Sequence, residues 1–122
     1  MIFADQKEAE QFLQEWQKVL RLQDWDLKIQ IVRARDLVGG ESMAEVTYKH
    51  TKRMAIINLL DPIDYGEYLW EQNHEISLVH ELLHLHFIGF EAESGTAEDD
   101  AQEMTIDVIS KSLVFLKYKA GE

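Results

Sequence analysis

The residues best suited to chemistry in this chain are His80, Glu81 and His84, in the run Ile76-Ser77-Leu78-Val79-His80-Glu81-Leu82-Leu83-His84-Leu85-His86-Phe87. They spell H-E-x-x-H in a stretch whose apolar pattern is helical. Four residues is slightly more than one helical turn, so His80 and His84 project the same way, about 40° apart around the axis. Two imidazoles on adjacent turns can hold one metal ion, and Glu81 lies close enough to act on a water at that ion. The arrangement is that of a zinc hydrolase, with two ligands and a general base.

A hydrolytic zinc keeps three protein ligands and one open position for water. The last helix of the chain offers the third ligand. Glu103 and Asp107 stand four residues apart there, stacked on one face as the histidines are. A helix packed on a core has little reason to turn two carboxylates inward unless something cationic meets them. Glu103 is therefore expected as the ligand. Asp107 is expected to accept the far N–H of a ligating histidine and hold its tautomer. Glu98, Asp99 and Asp100 compete for the ligand role, but acidic residues at a helix start already suit the dipole. His86, two residues beyond His84, lies about 200° round the helix and is poorly placed as a ligand. His74 is expected at the surface, at the start of the motif helix.

The elements that must position these groups follow from periodicity. Asp5-Gln6-Lys7-Glu8 has the capping-box form, and Phe12, Leu13, Trp16, Val19 and Leu20 recur at helical spacing, predicting an amphipathic helix to about Leu22. From Trp25 the period becomes two, with Leu27, Ile29 and Ile31 making a half-buried strand that closes at Asp36-Leu37-Val38-Gly39-Gly40, where Gly39-Gly40 turns the chain. Ala44, Val46 and Tyr48 mark a second strand. Arg53 to Leu59 marks a third, apolar on both sides and so either central or covered by a helix. Asp61-Pro62 ends it, and Ile63 to Asn73 reads as a loop with one helical turn.

The motif helix spans roughly His74 to Phe87, stopped by Gly89. An acidic loop over residues 91–100 leads, with Thr96 as N-cap, into a final helix over Ala97 to Lys119, whose terminal lysines Lys111, Lys117 and Lys119 suit the dipole. The order is one helix, three strands, the motif helix and a last helix. It predicts an α+β fold with a small antiparallel or mixed sheet and helices on one face.

Bulk properties bound the alternatives. A chain of 122 residues fits one domain over residues 1–122. Apolar content of 46 % with 10 % aromatics describes a folded chain. A formal charge of −11, from 23 acidic and 12 basic residues, argues against nucleic acid and against anionic membrane surfaces as partners. Zero cysteines removes disulfides, thiol catalysis and cysteine-type zinc sites together. No secretory signal or membrane-spanning run is legible, and a cytoplasmic location is expected.

With these residues in place, the chain resembles the gluzincin branch of zinc metallopeptidases. More narrowly, the run LVHELLHLHF followed by AQEMTIDVISKSLV is similar to small phage- or prophage-encoded metallopeptidases. A more distant similarity is to the minimal zincins of the ImmA/IrrE type that cleave phage repressors. The resemblance covers about Ile76 to Val114. It implies a zincin-like fold, zinc on His80, His84 and Glu103, Glu81 as base on a zinc-bound water, and a peptide or protein substrate. It also implies that the strand Arg53 to Leu59 lines the cleft and pairs with an extended substrate. Larger relatives supply a His or Tyr that stabilises the oxyanion. Here Tyr48, Tyr65, Tyr68, Tyr118, His50 and His86 are all candidates, none singled out by spacing. A zincin fold that binds partners without cleaving them, and a metal-free protein with a fortuitous motif, are the competing readings.

Overall fold

A computed structural model describes residues 1–39 and 43–120. Over these residues the fold is α+β, with three α-helices and one three-stranded sheet. Gly40 of the expected Gly39-Gly40 turn lies outside the described residues.

Helix α1 covers Gln6–Val19. Its capping box forms as expected, with Asp5 accepting from the Glu8 amide at 2.8 Å and Glu8 accepting from the Ala4 amide at 3.2 Å. The helix ends three residues before the predicted Leu22, because Arg21 adopts the left-handed conformation at φ 59. Leu22 still enters the core, at 3 % exposure; the apolar period continues through the turn although the helix does not. The Gln17 amide fixes that turn by donating to the carbonyls of Leu22 and Trp25 at 2.9 and 2.8 Å.

Strands β1 (Asp26–Val32), β2 (Ala44–Lys49) and β3 (Met54–Leu60) form a mixed sheet in the order β1-β3-β2. β3 runs parallel to β1 and antiparallel to β2, so it is central, one of the two placements its composition allowed. Register puts Ile29 and Val46 on either side of Ile57, and Ile31 and Ala44 on either side of Leu59. These side chains share one face. Ala9, Leu13 and Trp16 of α1 and Leu78, Val79 and Leu82 of the motif helix cover it. The opposite face is exposed at Met54 and Ile56 and becomes buried toward its end at Leu60.

Helix α2 covers His74–His84, capped by Asn73, which accepts from the Ile76 amide at 2.9 Å. The chain then tightens into a 3₁₀ stretch, Leu85–Phe90, where a continuous helix to Phe87 was predicted. The tighter turns satisfy the end of α2. They also bring His86 round to donate through Nε2 to the Leu20 carbonyl at 2.7 Å, away from the motif. Helix α3 covers Ala97–Ala120 with Thr96 as its cap, accepting from the Asp99 amide at 3.1 Å, as predicted. The helical turn expected in the loop after β3 is Pro62–Asp64.

Two polar groups at the start of α2 are fully inside. His74, expected at the surface, is fully buried. Its Nδ1 accepts from the Phe3 amide at 3.1 Å and its Nε2 donates to the Leu60 carbonyl at 2.9 Å, while its own amide donates to the Met1 carbonyl. It thus joins the N-terminal segment, β3 and α2, which spacing within α2 could not reveal. Glu75 is also fully buried, accepting from Trp16 Nε1 at 2.7 Å, Lys117 Nζ at 2.6 Å and the Tyr118 hydroxyl. Lys117, expected to serve the helix dipole, also pairs with Glu15 at 2.9 Å and lies over the Phe12 and Trp16 rings. One buried carboxylate therefore ties α1, α2 and α3 together.

Burial lowers the pKa of His74 from 6.5. The unfolded chain then binds a proton that the folded chain refuses, so folding stability falls as pH drops below about 6.5. In thermal melts between pH 7 and 5, His74→Gln should show a shallower loss of Tm with acidification than the parent. An identical slope would remove His74 as the titrating group.

Candidate metal centre

His80 and His84 rise from α2 at the i, i+4 spacing, their ring centroids 5.1 Å apart and the ring planes 52° from each other. Their side chains are 17 % and 19 % exposed, so the pair is set into the surface but reachable from it. The last helix packs against α2, and Ile106, Ser110 and Val114 are its buried side chains. Glu103 stands one turn before this buried strip, and its carboxylate meets both histidines. Oε1 lies 2.8 Å from His84 Nε2 and Oε2 lies 3.1 Å from His80 Nε2.

Asp107, a turn further along α3, comes to the other nitrogen of His80. Its Oδ1 is 3.7 Å from Nδ1, the side expected for it but beyond hydrogen-bond reach. Its Oδ2 accepts from Lys111 at 2.7 Å. Glu98, Asp99 and Asp100 belong to the helix start: Asp99 accepts from the Gly95 amide at 3.2 Å, and among the described residues none of the three pairs with either histidine.

Glu81 is 8 % exposed, and ligand atoms of His80, Glu81 and His84 lie within 4.8 Å of one another. Burial, then the charges of Glu103 and Glu45, push its carboxyl up to about 8. His84 moves the other way. Burial lowers its pKa, opposed by Glu103 and assisted by His80, which favours the neutral imidazole, the form that binds metal.

This donor set fits zinc. Ligands at 2.0–2.1 Å around a tetrahedral ion stand about 3.3 Å from each other, close to the 2.8 and 3.1 Å contacts of Glu103 with the two Nε2 atoms. Two imidazoles and a carboxylate leave a position for water. A divalent cation would also supply the positive charge that a buried Glu81 next to Glu103 lacks.

The candidates for an oxyanion partner separate here. The hydroxyl of Tyr65 donates to the Trp70 carbonyl at 2.7 Å, Tyr118 is committed to Glu75, and His86 to Leu20. Tyr48 donates to Glu91 at 2.8 Å, and burial followed by that bond pushes its pKa up to about 12. Glu91 in turn acts electrostatically on His84. The Tyr48–Glu91 pair joins β2 to the residue that ends the 3₁₀ stretch, 43 residues apart in sequence, and no local spacing announces it.

The expectation that the strand Arg53 to Leu59 pairs with an extended substrate fails on topology. β3 has β1 on one side and β2 on the other, so its backbone groups are already in ladders. β2, which packs against α2, pairs with β3 alone among the described residues. Comparison with protein-family models, curated proteins and solved structures returned no match.

Proposed function

We propose that this chain is a zinc-dependent hydrolase of the gluzincin type, a minimal zincin-like metallopeptidase acting on peptide or protein substrates in a reducing, cytoplasmic setting. The observation that carries the reading is the convergence of Glu103 on both Nε2 atoms beside a buried Glu81. His80, His84 and Glu103 would hold the ion, and Asp107, on the Nδ1 side of His80, would steady that ring. Zinc, when bound, supplies Lewis acidity that lowers the pKa of water and polarises a carbonyl.

The rest falls to the chain's own groups. Glu81 takes the proton from the attacking water and returns it to the leaving amine. A carboxyl pushed up to about 8 is suited to both halves of that transfer near neutral pH, and a neighbouring cation favours its ionised form. The outer edge of β2 offers main-chain groups to an extended peptide, with Tyr48 and Glu91 beside it.

The test is a screen of peptides and unfolded proteins against zinc-loaded chain, with Glu81→Gln as control. The variant should keep its zinc and lose at least about 100-fold in cleavage rate, the range of general-base catalysis. A variant that cleaves as well as the parent would overturn the assignment of Glu81. A second reading, a zincin-fold module that binds proteins without cleaving them, gains from the commitment of Tyr65, Tyr118 and His86 to bonds elsewhere. The same screen decides between them, since binding without any Glu81-dependent cleavage supports the module.

A further inference from the structure

We propose that the outward face of α3 pairs antiparallel with the same face of a second copy of this chain, about a twofold axis through Val108. This inference does not depend on the hydrolase reading. The side of α3 away from α2 carries Met104 at 69 % exposure, Val108 at 63 %, Ile109 at 37 %, Phe115 at 64 % and Leu116 at 57 %. Met104 and Val108 stand four residues apart, and Val108 with Phe115 and Ile109 with Leu116 seven apart, so they form one stripe along the helix. Single exposed apolar residues need no explanation, but a stripe along a 24-residue helix does.

The occupant is indicated by how the stripe matches itself when reversed. With Val108 on the axis, Phe115 falls opposite Ala101 and Met104 opposite Ser112, large against small at both steps, while Ile109 and Leu116 fall level with Asp107 and Asp100. Charge agrees. Glu98 and Lys119 are exposed at opposite ends of the face, so reversal sets each beside the other twice in a pair. A parallel pair would instead place the acidic first turn, Glu98, Asp99 and Asp100, against its own copy. Antiparallel helix dipoles favour the same choice. Five apolar side chains from each copy would bury on the order of 1,000 Å² in total, the lower bound for a specific interface. Glu103, which meets the histidines on the α2 side, stays clear of the contact.

Sedimentation of the full chain from micromolar to about millimolar concentration should show a reversible monomer–dimer equilibrium. Glu98→Lys alone and Lys119→Glu alone should each raise Kd by about 10-fold, because two attractions become two repulsions. The double variant should return to within about 3-fold of the parent. Val108→Cys should form a same-residue disulfide under mild oxidation, in a chain that has no other cysteine. Ala101→Cys should not, because antiparallel pairing sets its two copies about 21 Å apart. A chain that is monomeric throughout, a ready Ala101→Cys disulfide, or a charge swap that fails to rescue would each overturn the proposal.

Discussion

Zinc-loaded chain should carry one equivalent of metal, and Glu103→Gln should lower its affinity by more than about 100-fold. The scale comes from the outer partners of metal ligands, whose loss costs 10- to 100-fold; loss of a ligand must exceed it. His80→Ala and His84→Ala should behave like Glu103→Gln. Asp107→Asn should fall within the 10- to 100-fold range, because the side chain sits at the remote nitrogen of His80 and not at the metal-facing one. Glu81→Gln should leave affinity near that of the parent. Competition with a chromophoric chelator measures the whole series. Affinity should fall as pH is lowered, since the ligating imidazoles must be neutral. Burial of His84 holds its pKa below 6.5 and so displaces its share of that loss to lower pH. An unchanged affinity in Glu103→Gln would detach α3 from the metal and leave the two histidines as an isolated motif.

The largest loss of stability should come from a residue with no part in that chemistry. Glu75→Ala leaves the Lys117 ammonium, the Trp16 N–H and the Tyr118 hydroxyl without the carboxylate they share. Removing one partner of a buried ion pair costs about 3–5 kcal/mol, because the remaining charge stays desolvated. Lys117 is a quarter exposed and also meets Glu15, so the lower end of that range is expected. Replacing both charges by apolar groups, as in Glu75→Leu with Lys117→Met, should recover much of the loss. Urea denaturation of the two variants beside the parent separates the outcomes. A Glu75→Ala loss below about 1 kcal/mol would mean that the network contributes no more than an exposed pair does.

The contact of Glu103 with the histidines and the burial of Glu75 mark how far sequence reasoning reached. Glu103 was legible because its partners share a periodic pattern: histidines four apart on one helix call for a carboxylate on another, and the last helix offers few. The helix starts at Asp5 and Thr96 were equally legible, since caps are local chemistry. Glu75 and His74 carry no such signal. Their partners lie up to 71 residues away, and the same letters at a helix start would serve as solvated, dipole-compatible residues. Strand alternation identified the sheet but not its order. Only the pairing of β3 with both neighbours excludes it as the strand open to a substrate. Arg21 and Arg53 are a further limit: both take left-handed conformations where glycine is the usual choice, so no glycine marked either turn.

The buried apolar side chains of α3 are Ile106 and Val114, with Leu113 partly buried against the core and Ser110 a buried hydroxyl between them. Its attachment is completed by polar ties at two levels, Glu103 to the histidines and Lys117 with Tyr118 to Glu75. A cation held between Glu103 and the histidines would add to the first of these ties. The opposite face of the same helix is the surface assigned to a second copy. Metal binding and self-association, proposed for opposite faces of one helix, would be thermodynamically linked wherever either orders that helix, and linkage is reciprocal: any factor by which metal tightens self-association is the factor by which self-association tightens metal.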